Sequence, residues 1–141
     1  AKRLFGERLG VREWKQLAGP IPSGGHIHVA LAWVGSIMYE LITATGEGSA
    51  LYMDCLPQTE GFHVKHHRLG YLIRSQAEWE ALLAGAERHG WPLVHQSHTA
   101  DFMQSCFIDV PALGHYLEYL FPENAGLEFF RSVPNQQGAH G

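Results

Sequence analysis

Between Phe62 and Ile73 the chain carries three histidines within five positions, His63, His66 and His67, followed at once by Arg68. Imidazoles ligate metals or move protons near neutral pH, and a guanidinium holds carboxylates through a two-pronged fork. No other stretch of the sequence concentrates potential ligands so densely. Two carboxylates stand out against apolar surroundings: Glu40 in Ile37-Met38-Tyr39-Glu40-Leu41-Ile42, and Glu118 in Tyr116-Leu117-Glu118-Tyr119-Leu120-Phe121. A carboxylate in such a run must find a partner, reach solvent or keep its proton.

The elements that must position these groups read as short strands and a few helices. Leu4, Phe5 and Leu9 share one face of a helix that ends at Gly10. That helix opens without a capping residue, so the chain as given is expected to start inside an element whose beginning lies upstream. A short strand is expected over Val11–Leu17 and a loop over Gly19–Gly25. His26–Trp33 and Ser36–Thr43 form a hairpin about Gly35, followed by a turn at Thr43–Gly48, a helix at Ser49–Leu56 and a linker at Pro57–Gly61. The stretch from Phe62 to Ile73 reads as a strand. Ser75-Gln76-Ala77-Glu78 is a capping box opening a helix with Ala77, Trp79, Leu82, Leu83 and Ala86 as its apolar stripe and Gly90 as its stop. Strands are expected over Trp91–Ser97, Asp101–Val110 and His115–Phe121, then a helix at Asn124–Arg131 and a loose tail from Pro134 to Gly141.

Each half thus runs helix, glycine, strand, strand, and a strand with an acid inside it. Thirty residues separate Gly10 from Glu40 and twenty-eight separate Gly90 from Glu118. Equal order at near-equal spacing argues for an internal duplication, and only the second copy has a leading strand, the histidine-rich one.

On Leu9-Gly10-Val11, Tyr39-Glu40-Leu41-Ile42, His66-His67-Arg68-Leu69-Gly70-Tyr71-Leu72-Ile73 and Ile108-Asp109-Val110-Pro111-Ala112-Leu113-Gly114-His115-Tyr116-Leu117-Glu118-Tyr119, the sequence resembles the vicinal oxygen chelate superfamily of glyoxalases, bleomycin-resistance proteins and extradiol dioxygenases. Within it, the likeness is to the branch near methylmalonyl-CoA epimerase. The resemblance covers about residues 1–121. It implies an α+β fold of paired βαβββ modules forming a cup-shaped mixed sheet, with residues 1–57 as a first module lacking its leading strand and 62–131 as the second. It also implies a homodimer and a divalent metal held in the cup.

Carried over by position, Glu40 and Glu118 match the ligands supplied by the last strand of each module, and both match the catalytic acids. The first module's leading-strand ligand would lie before Ala1. The fourth ligand falls in the histidine cluster, where this chain departs from the family: Arg68 stands between His67 and the strand that family members begin directly after a histidine pair. Alignment on the histidines makes His67 the metal ligand, with His66 and Arg68 lining the substrate pocket; alignment on Leu69-Gly70-Tyr71 puts Arg68 in the ligand slot. Alternation settles only that His66, Arg68, Gly70 and Leu72 travel together, opposite His67, Leu69 and Tyr71. Coordination by His67 on the Gly70 face requires a β-bulge at Arg68.

Three functions follow. The first is a metal-dependent lyase or epimerase acting on a small carbonyl or carboxylate compound, a thioester among them, through an enediolate. Its ion would be zinc, nickel, cobalt, manganese or iron, since oxygen and nitrogen ligands suit all five. The second is a metal-free module of bleomycin-resistance type, with Arg68 in place of the ligand. The third is an extradiol dioxygenase, against which Glu40 counts because that site has no acid there. His26, His28, His95 and His98 read as surface histidines, Tyr71, Trp79, Phe107 and Tyr119 as core, Asp109 as a turn residue, and Cys106 as buried and inert.

Composition bounds the rest. A chain of 141 residues with 45% hydrophobic content supports a real core, and 16 glycines with 7 prolines suit many short strands. A net charge of −4 with scattered Lys and Arg leaves no nucleic-acid footprint. Cys55 and Cys106 have no paired-ligand spacing, no apolar run approaches the roughly 20 residues of a membrane span, and a cytoplasmic setting is expected.

Overall fold

The computed structural model describes residues 1–136 and divides them into two compact units, Ala1–Lys65 with the segment from Ser132 onward, and His66–Arg131. Its class is α+β, with two four-stranded mixed sheets and a few helices. No helix among the described residues is long and apolar enough to cross a membrane.

The first unit opens with helix α1, Lys2–Leu9, closed by Gly10 in the left-handed conformation at φ 70°. Its Phe5 ring meets Tyr39 edge-on at 5.3 Å and Trp14 at 5.9 Å, which binds the helix to one face of the sheet. That sheet is an antiparallel meander of β1 (Lys15–Pro20), β2 (His26–Val34) and β3 (Ile37–Thr45), with Gly35 at φ 61° turning the second hairpin. The first strand begins later than the sequence suggests and runs through Gly19-Pro20, because its partner β2 extends back to His26 and pairs it there. Pro20 ends the strand at the sheet edge, where a missing N–H costs no ladder bond. Helix α2 is only Ala50–Met53, shorter than expected. The tail is not loose at its start: β8, Asn135–Gln136, pairs in parallel with Trp33 and Val34, and Trp33 N–H donates to Pro134 O at 2.8 Å. The rest of the tail, residues 137–141, lies outside the described residues.

The second unit is one complete βαβββ module. It comprises β4 (Arg68–Leu72), α3 (Gln76–His89), β5 (Leu93–Thr99), β6 (Met103–Ile108) and β7 (Tyr116–Pro122), followed by α4 (Asn124–Arg131). The sheet order is β4-β7-β6-β5, with β4 parallel to β7 and the other neighbours antiparallel. The capping box forms: Ser75 Oγ accepts from Glu78 N–H at 3.2 Å, while Glu78 Oε2 accepts from the Arg74 N–H at 2.9 Å, one residue before the expected partner. Gly90 closes the helix at φ 63°.

Side-chain alternation gives this sheet two distinct faces. Leu117, Tyr119, Cys106 and Ile108 lie on the face that α3 covers, where Gln104 Nε2 donates to Gln76 Oε1 at 3.5 Å, and Trp79, Cys106 and Ile108 are buried. Tyr71 shares that face but sits on the edge strand β4, 46% exposed, and is not a core residue; its ring stacks on Tyr119 at 5.6 Å. The strand of the histidine cluster is also shorter than expected: it runs over Arg68–Leu72 beside β7, with single backbone bonds from Tyr116 N–H to His67 O and from Ile73 N–H to Leu120 O at its two ends.

Candidate functional site

The opposite face of the second unit's sheet gathers the polar groups. Its rungs follow from the register: Gly70 on β4 lies beside Glu118 on β7, Glu118 beside Phe107 on β6, and Phe107 beside His95 on β5. Arg68 and Tyr116 form the neighbouring rung on β4 and β7, and Ser97, Ser105 and Leu120 the rung on the other side.

Arg68 Nε donates to Glu118 Oε2 at 2.8 Å, with both side chains only 10% exposed. The guanidinium carbon lies 4.9 Å from the centre of the Phe107 ring, over its face. A buried carboxylate and a buried guanidinium each need the other, since either one alone would be an uncompensated charge. Arg68 therefore stands on the Gly70 face, as in a strand without a bulge.

Imidazoles surround the pair. Arg68 Nη1 donates to His67 Nδ1 at 3.2 Å; a guanidinium can only donate, so the ring proton of His67 belongs on Nε2. His67 lies just before the first residue of β4, and its ring meets Tyr116 at 5.2 Å and Phe107 at 6.1 Å. It therefore reaches the same face as Arg68 from the end of the strand. His66 turns away to His115, 4.6 Å between ring centres, and His115 Nδ1 donates to Tyr116 O at 2.9 Å. His95 is not a surface histidine: it is half-buried, its ring is 4.8 Å from Phe107, and burial together with the Arg68 charge holds its pKa below the usual value.

No family profile matches this sequence, and no curated protein sequence matches it. A solved structure described as a glyoxylase/bleomycin resistance protein/dioxygenase domain from Frankia sp. EAN1pec aligns with 17% identity over 86% of this chain and 81% of that one, at a TM-score of 0.36.

The expected site residues divide between the units. Arg68, His67 and Glu118 come together in the second, with His66 at the margin. Glu40 lies in the first, exposed on β3 opposite Leu31, whose other cross-strand neighbour is Lys15. The two acids thus occupy equivalent rungs of their own sheets, Glu40–Leu31–Lys15 and Glu118–Phe107–His95. Among the described residues, no three His, Cys, Asp or Glu side chains are grouped to hold a metal ion. Around Glu118 the donor set does not fit a divalent cation, because the guanidinium of Arg68 already stands against its carboxylate and would repel one.

Sequence reasoning took His95 for a surface histidine and passed over Ser97 and Ser105. The signal that could have found His95 and Ser97 is the run His95-Gln96-Ser97-His98-Thr99, five consecutive polar side chains of β5, so that neither face of that stretch can be purely core.

Proposed function

We propose that this chain is a metal-independent small-molecule binding module of the bleomycin-resistance type, whose ligand carries a carboxylate or similar planar anion recognised by Arg68. One observation carries the reading: the Arg68 guanidinium is fixed on the face of the sheet opposite α3 by Glu118 at 2.8 Å and laid over Phe107 at 4.9 Å. A guanidinium whose rotamer and plane are already held loses little freedom when it meets a second planar anion, and binding is stronger for that. The metal-dependent lyase or epimerase reading would need a cation beside Glu118, where the guanidinium stands, and is disfavoured on that ground.

The test is calorimetric titration of metal-stripped protein with benzoate and phenylacetate as probes. Saturable binding is expected without metal. It should vanish in Arg68→Met/Glu118→Leu, a double substitution that removes both charges and leaves no buried orphan. Binding that survives this change, or that requires a full equivalent of zinc, nickel, cobalt, manganese or iron, would overturn the proposal.

A further inference from the structure

Two histidines stand together at one end of the second unit's sheet. Strands β4 and β7 run parallel, so both begin at that end, and Tyr116 N–H donates to His67 O at 3.0 Å to tie the two beginnings together. His66 lies just before β4 and His115 directly before β7. Their ring centres are 4.6 Å apart, with the planes tilted by 50°. His115 Nδ1 donates to Tyr116 O at 2.9 Å; a carbonyl only accepts, so the neutral ring carries its proton on Nδ1 and its lone pair on Nε2. Among the described residues, no hydrogen bond engages His66 or that Nε2. His66 is exposed and His115 half-buried, so an ion reaches the pair from solvent and needs no cavity.

These features match what two imidazoles need to share one ion. A metal about 2.0–2.1 Å from one nitrogen of each ring holds the ring centres roughly 5 Å apart, close to the separation found here. A ligating imidazole almost always donates its other N–H to a carboxylate, carbonyl or water, which fixes the tautomer and the ring plane, and His115 already makes that bond. Of the neighbouring cations, Arg68 has its charge met by Glu118, and Lys65 is exposed to water. His26 and His28 make a contrasting pair: they alternate on β2, both exposed, with ring centres 5.7 Å apart and no carbonyl fixing either ring. We infer that His66 and His115 bind a late first-row divalent cation, copper(II) more tightly than nickel(II) or zinc(II), with water completing the coordination. The site shares no ligand with the metal centre expected at Glu40, His67 and Glu118, and it does not depend on the anion-binding role proposed for Arg68.

The histidine-ring NMR spectrum of the full chain, titrated with zinc chloride at pH about 7.5, where an unperturbed imidazole is mostly neutral, reads each ring separately. The His66 and His115 signals are expected to shift together and to saturate before those of His26, His28 and His98, with His115 coordinating through Nε2 and keeping its Nδ1 proton. In a parallel titration with copper(II), His66→Ala should weaken the first binding event at least about tenfold, since loss of an outer partner alone costs a metal site that much. His26→Ala/His28→Ala should leave that event unchanged. His66 touches no ring other than His115, so its truncation leaves the fold in place, which the unshifted signals of the remaining histidines confirm. The site is overturned if no ring shift saturates, if His66 and His115 respond no earlier than the other exposed histidines, if His115 coordinates through Nδ1, or if His66→Ala leaves copper affinity unchanged.

Discussion

Arg68 reaches Glu118 on a diagonal. The register sets Arg68 opposite Tyr116 and Gly70 opposite Glu118, so the guanidinium leans along its own strand toward the next rung to make the 2.8 Å contact. At Gly70 an added Cβ would stand 3.4 Å from Glu118 Oε2 and 3.5 Å from Leu120 Cδ1, ordinary van der Waals contact, so only a longer side chain there would contest the space the guanidinium fills.

The pair should behave as a coupled unit. With both side chains 10% exposed, Glu118→Leu alone leaves an uncompensated cation and Arg68→Met alone an uncompensated anion. Each single change is expected to cost roughly 3–5 kcal/mol in urea denaturation, and the double change much less than their sum. Additive losses in the double-mutant cycle would show that the two charges do not depend on each other.

His95 should make stability depend on pH in one direction. Burial first, and the Arg68 charge second, hold its pKa below the ordinary 6.5, so the unfolded chain takes up a proton in a range where the folded chain does not. Stability is full above pH 6.5 and declines as pH falls through the window below it, toward the folded-state value. His95→Gln should flatten that part of the profile, measured by denaturation across pH about 7 to 5. An unchanged slope would place the acid sensitivity elsewhere.

The two thiols should differ sharply in reactivity. Cys106 is fully buried and its thiol is pushed up to about 11, chiefly by burial, whereas Cys55 is half-exposed. Ellman's reagent at pH about 8 should titrate Cys55 in the native protein and reach Cys106 only after denaturant is added. Rapid native labelling of both cysteines would contradict the packing of β6 beneath α3.

Gly126 on α4 should not tolerate alanine. Helix propensity alone favours Ala over Gly by about 1 kcal/mol. An added Cβ, however, would fall 2.1 Å from Phe102 O, a backbone atom, and 3.2 Å from Pro122 Cβ. The steric conflict outweighs the propensity gain, and Gly126→Ala is expected to lower the midpoint of thermal unfolding by several degrees, on the order of 1–3 kcal/mol. A raised midpoint would mean that α4 and the Phe102 turn can move apart freely.

Much of the fold is written in local chemistry. The stops at Gly10 and Gly90, the cap at Ser75, the hairpin at Gly35 and the helix at Asn124–Arg131 all depend on residues within a few positions of each other, and all five form. The order of elements in the two halves is likewise legible, because a repeat needs no knowledge of contacts. Strand limits were less so. β1 and β8 take their bounds from where β2 pairs them, and the histidine-rich stretch is a strand only over the five residues that β7 holds.

For the site, the sequence by itself determined that Arg68 and Gly70 share a face and that two acids recur at equivalent places in the repeat. Alternation of side chains dictates such relative facts, since consecutive residues of a strand point to opposite sides. It is silent on which face looks toward a helix, and on which rung of one strand meets which rung of another. Those were decided only by tertiary pairing: the parallel register of β4 on β7 brought Arg68 to Glu118, and the antiparallel register of β5 on β6 set His95 against Phe107 and Ser97 against Ser105. Each of these pairings joins residues far apart in the chain or across a turn, where buried area and ladder bonds over whole strands choose the register and no single residue can announce it.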